Sequence, residues 1–135
     1  MSEENVEAFK RGNAAWNRGD IDAMLEVDDP EVEVHAVAPA MLGGESTVYR
    51  GHEGVRELFR DVHEAFAQHR IEISEIRDLG ERVLAVGQLR MRGTGSGAEV
   101  ESPIAYVVEF KNGKIIRVDD FFDPKEALEA AGLRE

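Results

Sequence analysis

The sequence contains no cysteine and few cationic side chains, and both shortages exclude classes of function. Because none of the 135 residues is Cys, a disulfide framework, a thiolate nucleophile and a Cys-ligated metal site are excluded. Sixteen Lys and Arg stand against 28 Asp and Glu, which gives a formal net charge of −12. Because such a chain repels polyanions, we expect neither a nucleic acid nor an anionic membrane surface as a partner.

Long apolar runs and low-complexity tracts are also missing. The N-terminal segment MSEENVEAFKRGN is acidic and polar, whereas a secretory signal begins with basic residues and an apolar run. No window approaches the about 18 consecutive apolar residues of a membrane helix. The composition, 42% hydrophobic and 33% charged, is that of a globular protein. We therefore expect a single domain over residues 1–135, located in the reducing cytoplasm.

Apolar residues spaced by three and four positions predict helices. Residues 3–17 carry this pattern up to Gly19, and Asp20 is placed to cap a second, short helix with the sequence IDAMLEV. Residues 53–67 form a further helix with one apolar stripe of Val55, Leu58, Phe59, Val62 and Phe66. Asp-Pro at residues 123–124 predicts a last short helix.

Alternation of apolar and polar residues predicts one early strand and four late ones. PEVEVHAV follows a predicted turn at residues 28–30. From Arg70 onward come a strand with a bulge before Ile76 and then VLAVGQLRM, VESPIAYVVEF and KIIRVDDFF. Asn-Gly at residues 112–113 predicts a tight hairpin, and GTGSG at residues 93–97 predicts a looser one.

The order of these elements, ααβαββββα, predicts an α+β fold. A curved antiparallel sheet would wrap around the N-terminal helices as a cone, and its apolar concave face would line a cavity for a small ligand. The stretch from Pro39 to Gly51 has no periodicity, so we predict a loop there that could act as a lid.

Four segments of the chain carry a resemblance to a known family: AWNRGDIDAM, DPEVEVHA, YRGHEGVREL and NGKIIRVDDFFDP. They resemble the SnoaL-like proteins of the nuclear transport factor two superfamily, which includes ketosteroid isomerases, limonene epoxide hydrolases and polyketide cyclases. The resemblance covers nearly the whole chain. It implies a single SnoaL-like domain with a conical, cystatin-like fold, a small-molecule pocket, and a homodimer built on the outer face of the sheet.

The same resemblance indicates that several catalytic groups of the family are absent. The proton-shuttling Asp of the isomerases and the water-holding Asn of the hydrolases align with Ala36, and the oxyanion-binding Tyr of the isomerases falls near Gly12. The Arg and Asp of the hydrolases align with Gly87 and Leu89. We therefore expect neither ketosteroid isomerisation nor epoxide hydrolysis by those residue sets.

One carboxylate of the family pattern remains. Asp120 matches the last-strand Asp that resembles the general acid/base of the polyketide cyclases. Alternation would place Asp120 on a face with Ile116, Val118 and Phe122, where loss of solvent raises the pKa of a carboxyl group. The alternatives are an exposed carboxylate at a strand end, or a slip of one residue that turns Asp119 inward instead.

Two further residues are candidates for catalysis. Tyr106 lies close to the position of the protonated Asp of the isomerases, on a predicted strand face with Ile104 and Val108, so its hydroxyl could donate to a ligand oxygen. His63 on the long helix could be the acid/base partner of Asp120. The alternative for Tyr106 is a core tyrosine whose hydroxyl is satisfied by a hydrogen bond. The alternative for His63 is a half-exposed helix residue without a role in catalysis.

The other candidates would contact the ligand. Tyr49 could cover the mouth of the pocket, and Trp16 could stack on the ligand, although a plain packing role is the more common one for each of these aromatic residues. The remaining candidates are Val34, Phe59, Phe66, Met91, Val108 and Val118. The four histidines, His35, His52, His63 and His69, lack the spacing of metal ligands, so we expect no metal and no cofactor.

The leading hypothesis is acid/base chemistry of the isomerase, cyclase or lyase type, without a cofactor, on a small apolar substrate that bears an oxygen. The first alternative is a binding protein for a small hydrophobic ligand, without catalysis. The second is a dimerisation module in which the helices fill the cone.

Overall fold

The order of helices and strands confirms the α+β fold class and the predicted succession of elements. The computed structural model describes residues 2–37, 47–95 and 97–133. Its elements are α1 (Ser2–Arg18), α2 (Ile21–Val27), β1 (Asp28–Ala36), β2 (Thr47–Arg50), α3 (Gly51–Ala65), β3 (Phe66–Asp78), β4 (Arg82–Gly93), β5 (Glu99–Lys111), β6 (Lys114–Phe121) and α4 (Pro124–Ala130).

The strands form one sheet in the order β2-β1-β6-β5-β4-β3. Strands β3 to β6 are the antiparallel meander that the sequence predicts. Strand β1 pairs with β6 in parallel, with Val34 opposite Val118, which the sequence analysis did not predict. This pairing joins the N-terminal part of the chain to its last strand.

The predicted caps and the tight hairpin are confirmed. The Asp20 carboxylate accepts a hydrogen bond from the first turn of α2, and Asp123 does the same for α4. Asn112 and Gly113 have φ values of +52° and +78°, the left-handed conformation that a two-residue hairpin requires and that Asn and Gly tolerate best.

Three predicted boundaries need correction. Residues 47–50, predicted as part of a loop, form β2 because they pair with β1, with Tyr49 opposite Val34. The loop prediction for residues 39–46 lies outside the described residues. The predicted turn at residues 28–30 is the start of β1. Phe66 belongs to β3 rather than to α3, because its backbone is extended and it pairs with Gly93.

Two irregularities in strand pairing set which side chains face inward. The predicted bulge before Ile76 is confirmed as a register shift between Ile73 and Glu75 in β3. Opposite it, a Cβ on Gly87 would lie 2.0 Å from the carbonyl oxygen of Glu72, so only glycine fits there. A second shift, between β5 and β6, places Ile115 rather than the predicted Ile116 on the inner face.

The sheet packs helices on both of its faces. The larger apolar cluster joins α1, α2 and α3 to the concave face, and a smaller cluster places α4 against the convex face. Asn17 on α1 holds the strand β3 at Ile71, whose N–H donates to Asn17 Oδ1 and whose carbonyl accepts from Asn17 Nδ2, both at 2.8 Å. Among the described residues, no helix is long and apolar enough to cross a membrane.

Candidate functional site

A cavity of about 140 Å³ lies between the concave face of the sheet and the helices α1 and α3. An engineered cavity of about 150 Å³ in another protein holds benzene, so this one suits a small monocyclic molecule. Most of its lining is apolar. Among the described residues, the polar side chains that line it are Asn13, His69, Tyr106 and Asp120, and none of these lining residues is Lys or Arg.

Asp120 lies on the inner face of β6, directly opposite Tyr106 on β5. The carboxylate accepts a hydrogen bond from the backbone N–H of Val37. Its Oδ1 atom is enclosed by protein and has no hydrogen-bond partner in the described part of the chain. Burial raises the pKa of Asp120 to about 7; the Val37 hydrogen bond lowers this pKa, and the nearby charge of Asp119 raises it. Asp120 can therefore take up or release a proton near neutral pH.

The strand register places Asp119, the neighbour of Asp120 in the chain, on the opposite face of the sheet. Asp119 points to the convex face and accepts hydrogen bonds from Arg117 at 2.8 and 3.1 Å. The inward carboxylate is thus Asp120, and the one-residue slip that the sequence left open does not occur.

Tyr106 lies beside Asp120 and also lines the cavity. The residue is 9% exposed, and the ring of Phe9 is 6.3 Å away, centroid to centroid. Burial, and then the charge of Asp120, raise the pKa of Tyr106 well above its usual range, so the hydroxyl keeps its proton. Within the described ranges this hydroxyl makes no hydrogen bond, so it is available as a donor to a ligand oxygen.

His69 on β3 is a polar lining residue that the sequence analysis did not select. Its Nδ1 atom accepts a hydrogen bond of 2.7 Å from the indole N–H of Trp16. Burial lowers the pKa of His69 to about 4, and the neighbouring His63 contributes in the same direction. The alternation of β3 would have indicated an inward His69, two residues before Ile71, if Phe66 had been assigned to the strand.

The structure brings six of the predicted site residues together around the cavity: Trp16, Val34, Tyr106, Val108, Val118 and Asp120. Three positions where the family carries polar groups also line it, but Gly12, Ala36 and Leu89 place no polar side chain there. Gly87 is not a lining residue and serves the close approach of the strands instead.

Five predicted site residues lie outside the lining. His63 is exposed, stacks on Phe59 at 4.0 Å, and has its Nδ1 atom 2.8 Å from the Phe59 carbonyl oxygen, so it does not line the cavity with Asp120. Phe59 packs edge-on against Trp16. The Tyr49 hydroxyl donates to Asp61 at 3.0 Å and thereby ties β2 to α3. Phe66 and Met91 are core residues beyond the cavity.

A second carboxyl group with a raised pKa lies away from the cavity. Asp28, 8% exposed, begins β1 and is not among the lining residues. Burial raises its pKa to about 7, while the nearby His52 and Lys114 act in the opposite direction. The described residues contain no group of three or more His, Asp or Glu side chains placed to hold a metal ion.

The family model for the SnoaL-like domain matches residues 9–118. The chain belongs to the SnoaL-like domain family. Asp120 lies two residues after the matched segment, so the match does not include it. No curated protein sequence matches the chain.

Solved structures share the fold of this SnoaL-like domain over nearly its whole length. An NTF2-like protein of unknown function from Burkholderia pseudomallei is 25% identical, with a TM-score of 0.81 and coverage of 96% of this chain and 97% of that chain. TerC, crystallised with polyporic acid, is 24% identical, with a TM-score of 0.78 and coverage of 93% and 96%. A proposed polyketide cyclase from Xanthomonas campestris is 21% identical, with a TM-score of 0.71 and coverage of 93% and 94%.

Proposed function

We propose that this SnoaL-like domain performs acid/base chemistry without a cofactor on a small, largely apolar molecule that bears a carbonyl or similar oxygen. The observation that carries the proposal is the pairing of Asp120 with Tyr106 inside an apolar cavity. A carboxyl group with a pKa of about 7 exchanges protons efficiently near neutral pH. A buried phenol beside it supplies a donor for a substrate oxygen.

In this proposal the two residues have different roles. The ionised fraction of Asp120 removes a proton from the carbon next to the carbonyl group. Tyr106 donates a hydrogen bond to the carbonyl oxygen, on which negative charge develops as the proton leaves. The protonated Asp120 then returns the proton at another position, which corresponds to isomerisation; elimination or intramolecular aldol cyclisation begins with the same proton abstraction.

The comparisons support a small-molecule role without fixing the reaction. The fold is shared with a proposed polyketide cyclase and with TerC, which was crystallised with polyporic acid. Homodimerisation through the outer sheet face and a cytoplasmic location stay predictions.

A second candidate function is binding without catalysis. Gly12, Ala36 and Leu89 make the cavity more apolar than the family pattern, which favours retention of a hydrophobic ligand over its conversion. The cavity itself supports either ligand-dependent function over a dimerisation module with a filled cone.

The test begins with a thermal-shift screen of small ketones, lactones, epoxides and aromatic polyketide-like compounds. A ligand at a hundred times its Kd stabilises the native state by about 2.7 kcal/mol. Turnover of each ligand found is then measured for the wild type, Asp120→Asn and Asp28→Asn. We expect Asp120→Asn to lose about 10²- to 10⁴-fold in rate, because it cannot exchange the proton. Asp28→Asn, which changes a buried carboxyl away from the cavity, should stay close to the wild-type rate.

Two outcomes contradict catalysis by Asp120. Wild-type turnover in Asp120→Asn removes the carboxylate from the mechanism. Tight binding with no chemical conversion in the wild type favours the second candidate function.

A further inference from the structure

Among the described lining residues, Tyr106 and Asp120 lie together on β5 and β6, and His69 lies apart from them on β3. Asn13 on α1 donates to the carbonyl oxygen of Ile71. We propose that His69 is a second binding point, a hydrogen-bond donor that selects neutral ligands with acceptor oxygens at both ends of a small ring. The inference rests on the ligand-binding role proposed above and adds the class of ligand to it. It uses a residue that the proposed acid/base chemistry does not need.

The hydrogen bond from Trp16 fixes which nitrogen of His69 carries the proton. An indole N–H can only donate, so Nδ1 of His69, 2.7 Å away, must be the unprotonated acceptor. The single proton of the neutral imidazole is therefore on Nε2. This atom has no hydrogen-bond partner among the described residues and is not one of their enclosed unsatisfied atoms. Because His69 borders the cavity, its Nε2–H is available to an acceptor on a ligand.

Trp16 is itself held in place on several sides. Its ring packs edge-on against Phe59 at 5.5 Å and lies 5.9 Å from the ring of His63. The indole therefore has little freedom to turn its N–H away from His69. We assign Trp16 as a positioning residue for the imidazole.

The strand register and the contacts of α1 both separate the two ends of the cavity. Phe9 contacts Tyr106, and Trp16, seven positions further along α1, contacts His69, with centroid distances of 6.3 and 5.2 Å. On β4, Ala85 pairs with Tyr106, and Met91, six positions further, pairs with His69. A ligand that reaches both donors therefore needs an acceptor at each of its ends, and a cavity of about 140 Å³ limits such a ligand to a small ring.

The charge of the cavity favours neutral ligands over anions. No described lining residue is Lys or Arg, and Asp120 supplies negative charge when it is ionised. Because the pKa of His69 is lowered to about 4, the imidazole is uncharged at neutral pH and does not attract an anion. The net charge of −12 acts in the same direction.

The test compares two probes of similar size, 1,4-cyclohexanedione and 4-methylcyclohexanone, by NMR titration of the isotope-labelled full chain. The dione offers acceptors at both ends, and the methyl ketone offers only one. We expect the wild type to bind the dione about 3- to 10-fold more tightly, the range of one neutral hydrogen bond. His69→Leu should bring the ratio of the two Kd values to about one. His69→Gln, which retains an N–H donor, should keep part of the preference.

Trp16→Phe provides a second variant that leaves the imidazole in place. Without the indole N–H, the nitrogen resonances of His69 should show both tautomers, and the preference for the dione should fall between wild type and His69→Leu. A single tautomer with Nε2 protonated in this variant would contradict the positioning role of Trp16. Thermal melting of each variant verifies that it is folded before the titration.

The outcomes separate this inference from the proposed function. Equal affinities for the two probes, no measurable binding of the dione, or an unchanged preference in His69→Leu would overturn the role of His69. None of these results depends on turnover. Conversely, Asp120→Asn should retain the preference for the dione even though it slows catalysis, and loss of the preference in this variant alone would also overturn the inference.

Discussion

Asp28 and Asp120 are both buried carboxyl groups near the parallel pairing of β1 and β6, and burial raises the pKa of each to about 7. Their surroundings differ. Asp28 lies close to the cationic side chain of Lys114 and to His52, outside the cavity. Asp120 borders the cavity beside a tyrosine whose hydroxyl makes no hydrogen bond in the described part of the chain. The comparison teaches that a raised pKa does not by itself locate a site; adjacent space for a ligand does.

The largest expected effect concerns stability against pH. A carboxyl group with a pKa of about 7 in the folded state and 3.8 as its ordinary value stabilises the fold below about pH 4 relative to higher pH. That stability is lost as the pH rises to 7. We expect Asp28→Asn and Asp120→Asn each to reduce this decline by an amount on the order of a few kcal/mol. Urea unfolding between pH 4.5 and 8 measures it.

His69 contributes with the opposite sign, so the variants must be compared with the wild type and not with each other alone. Its folded pKa of about 4 lies below the ordinary value of 6.5, so its contribution rises from pH 4 to 6.5. Subtracting the pH dependence of the unfolding free energy of each Asn variant from that of the wild type gives the contribution of one carboxyl group. An unchanged pH dependence in either variant would mean that the carboxyl group of that residue is not protonated in the native state near pH 6.

A smaller effect should distinguish the two carboxyl groups by their response to a ligand. A neutral molecule in the cavity keeps water out of the space beside Asp120 and should raise its pKa further, whereas the pKa of Asp28 should stay where it is. A tenfold change in acidity corresponds to about 1.4 kcal/mol. Carboxyl carbon NMR titrations with and without 1,4-cyclohexanedione measure both groups at once. Equal shifts at both residues would place the ligand elsewhere.

The smallest expected effect comes from Lys114, which lowers the pKa of Asp28 through its charge and donates to the carbonyl oxygen of Glu26. Lys114→Gln should raise the pKa of Asp28 and leave Asp120 unaffected. Because Lys114 is exposed and solvent screens its charge, we expect the change in the pKa of Asp28 to correspond to less than about 1 kcal/mol. The same NMR titration at low and high salt gives the result. A change at Asp120 instead would show that the two carboxyl groups are coupled.

Local features of the sequence predicted most of the fold. Helix caps such as Asp20 and hairpin residues such as Asn112 act on residues only a few positions away. They can therefore be predicted without knowing which distant segments pack against them. The parallel pairing of β1 with β6 and the short strand β2 depend on segments distant in the chain. No local pattern specifies such pairings, which is why neither was predicted.

The candidate site was predictable to the extent that alternation held. Asp120 and Tyr106 follow from counting along β5 and β6, and both line the cavity. The prediction of an inward Ile116 by the same counting was wrong because of the register shift between those strands. His69 was missed because α3 ends one residue before Phe66, a boundary that the apolar stripe of the helix obscured.

The parallel pairing of β1 and β6 has a consequence for the order in which the protein forms. Glu33 lies opposite Arg117, so this contact joins residues that most of the chain separates and forms only when a long loop has closed. Until then the Asp120 side chain stays in water, where its pKa has the ordinary value of 3.8 and the group is ionised at neutral pH. Its raised pKa depends on the burial that the closed sheet provides, so an unfolded chain carries only an ordinary carboxylate at this position.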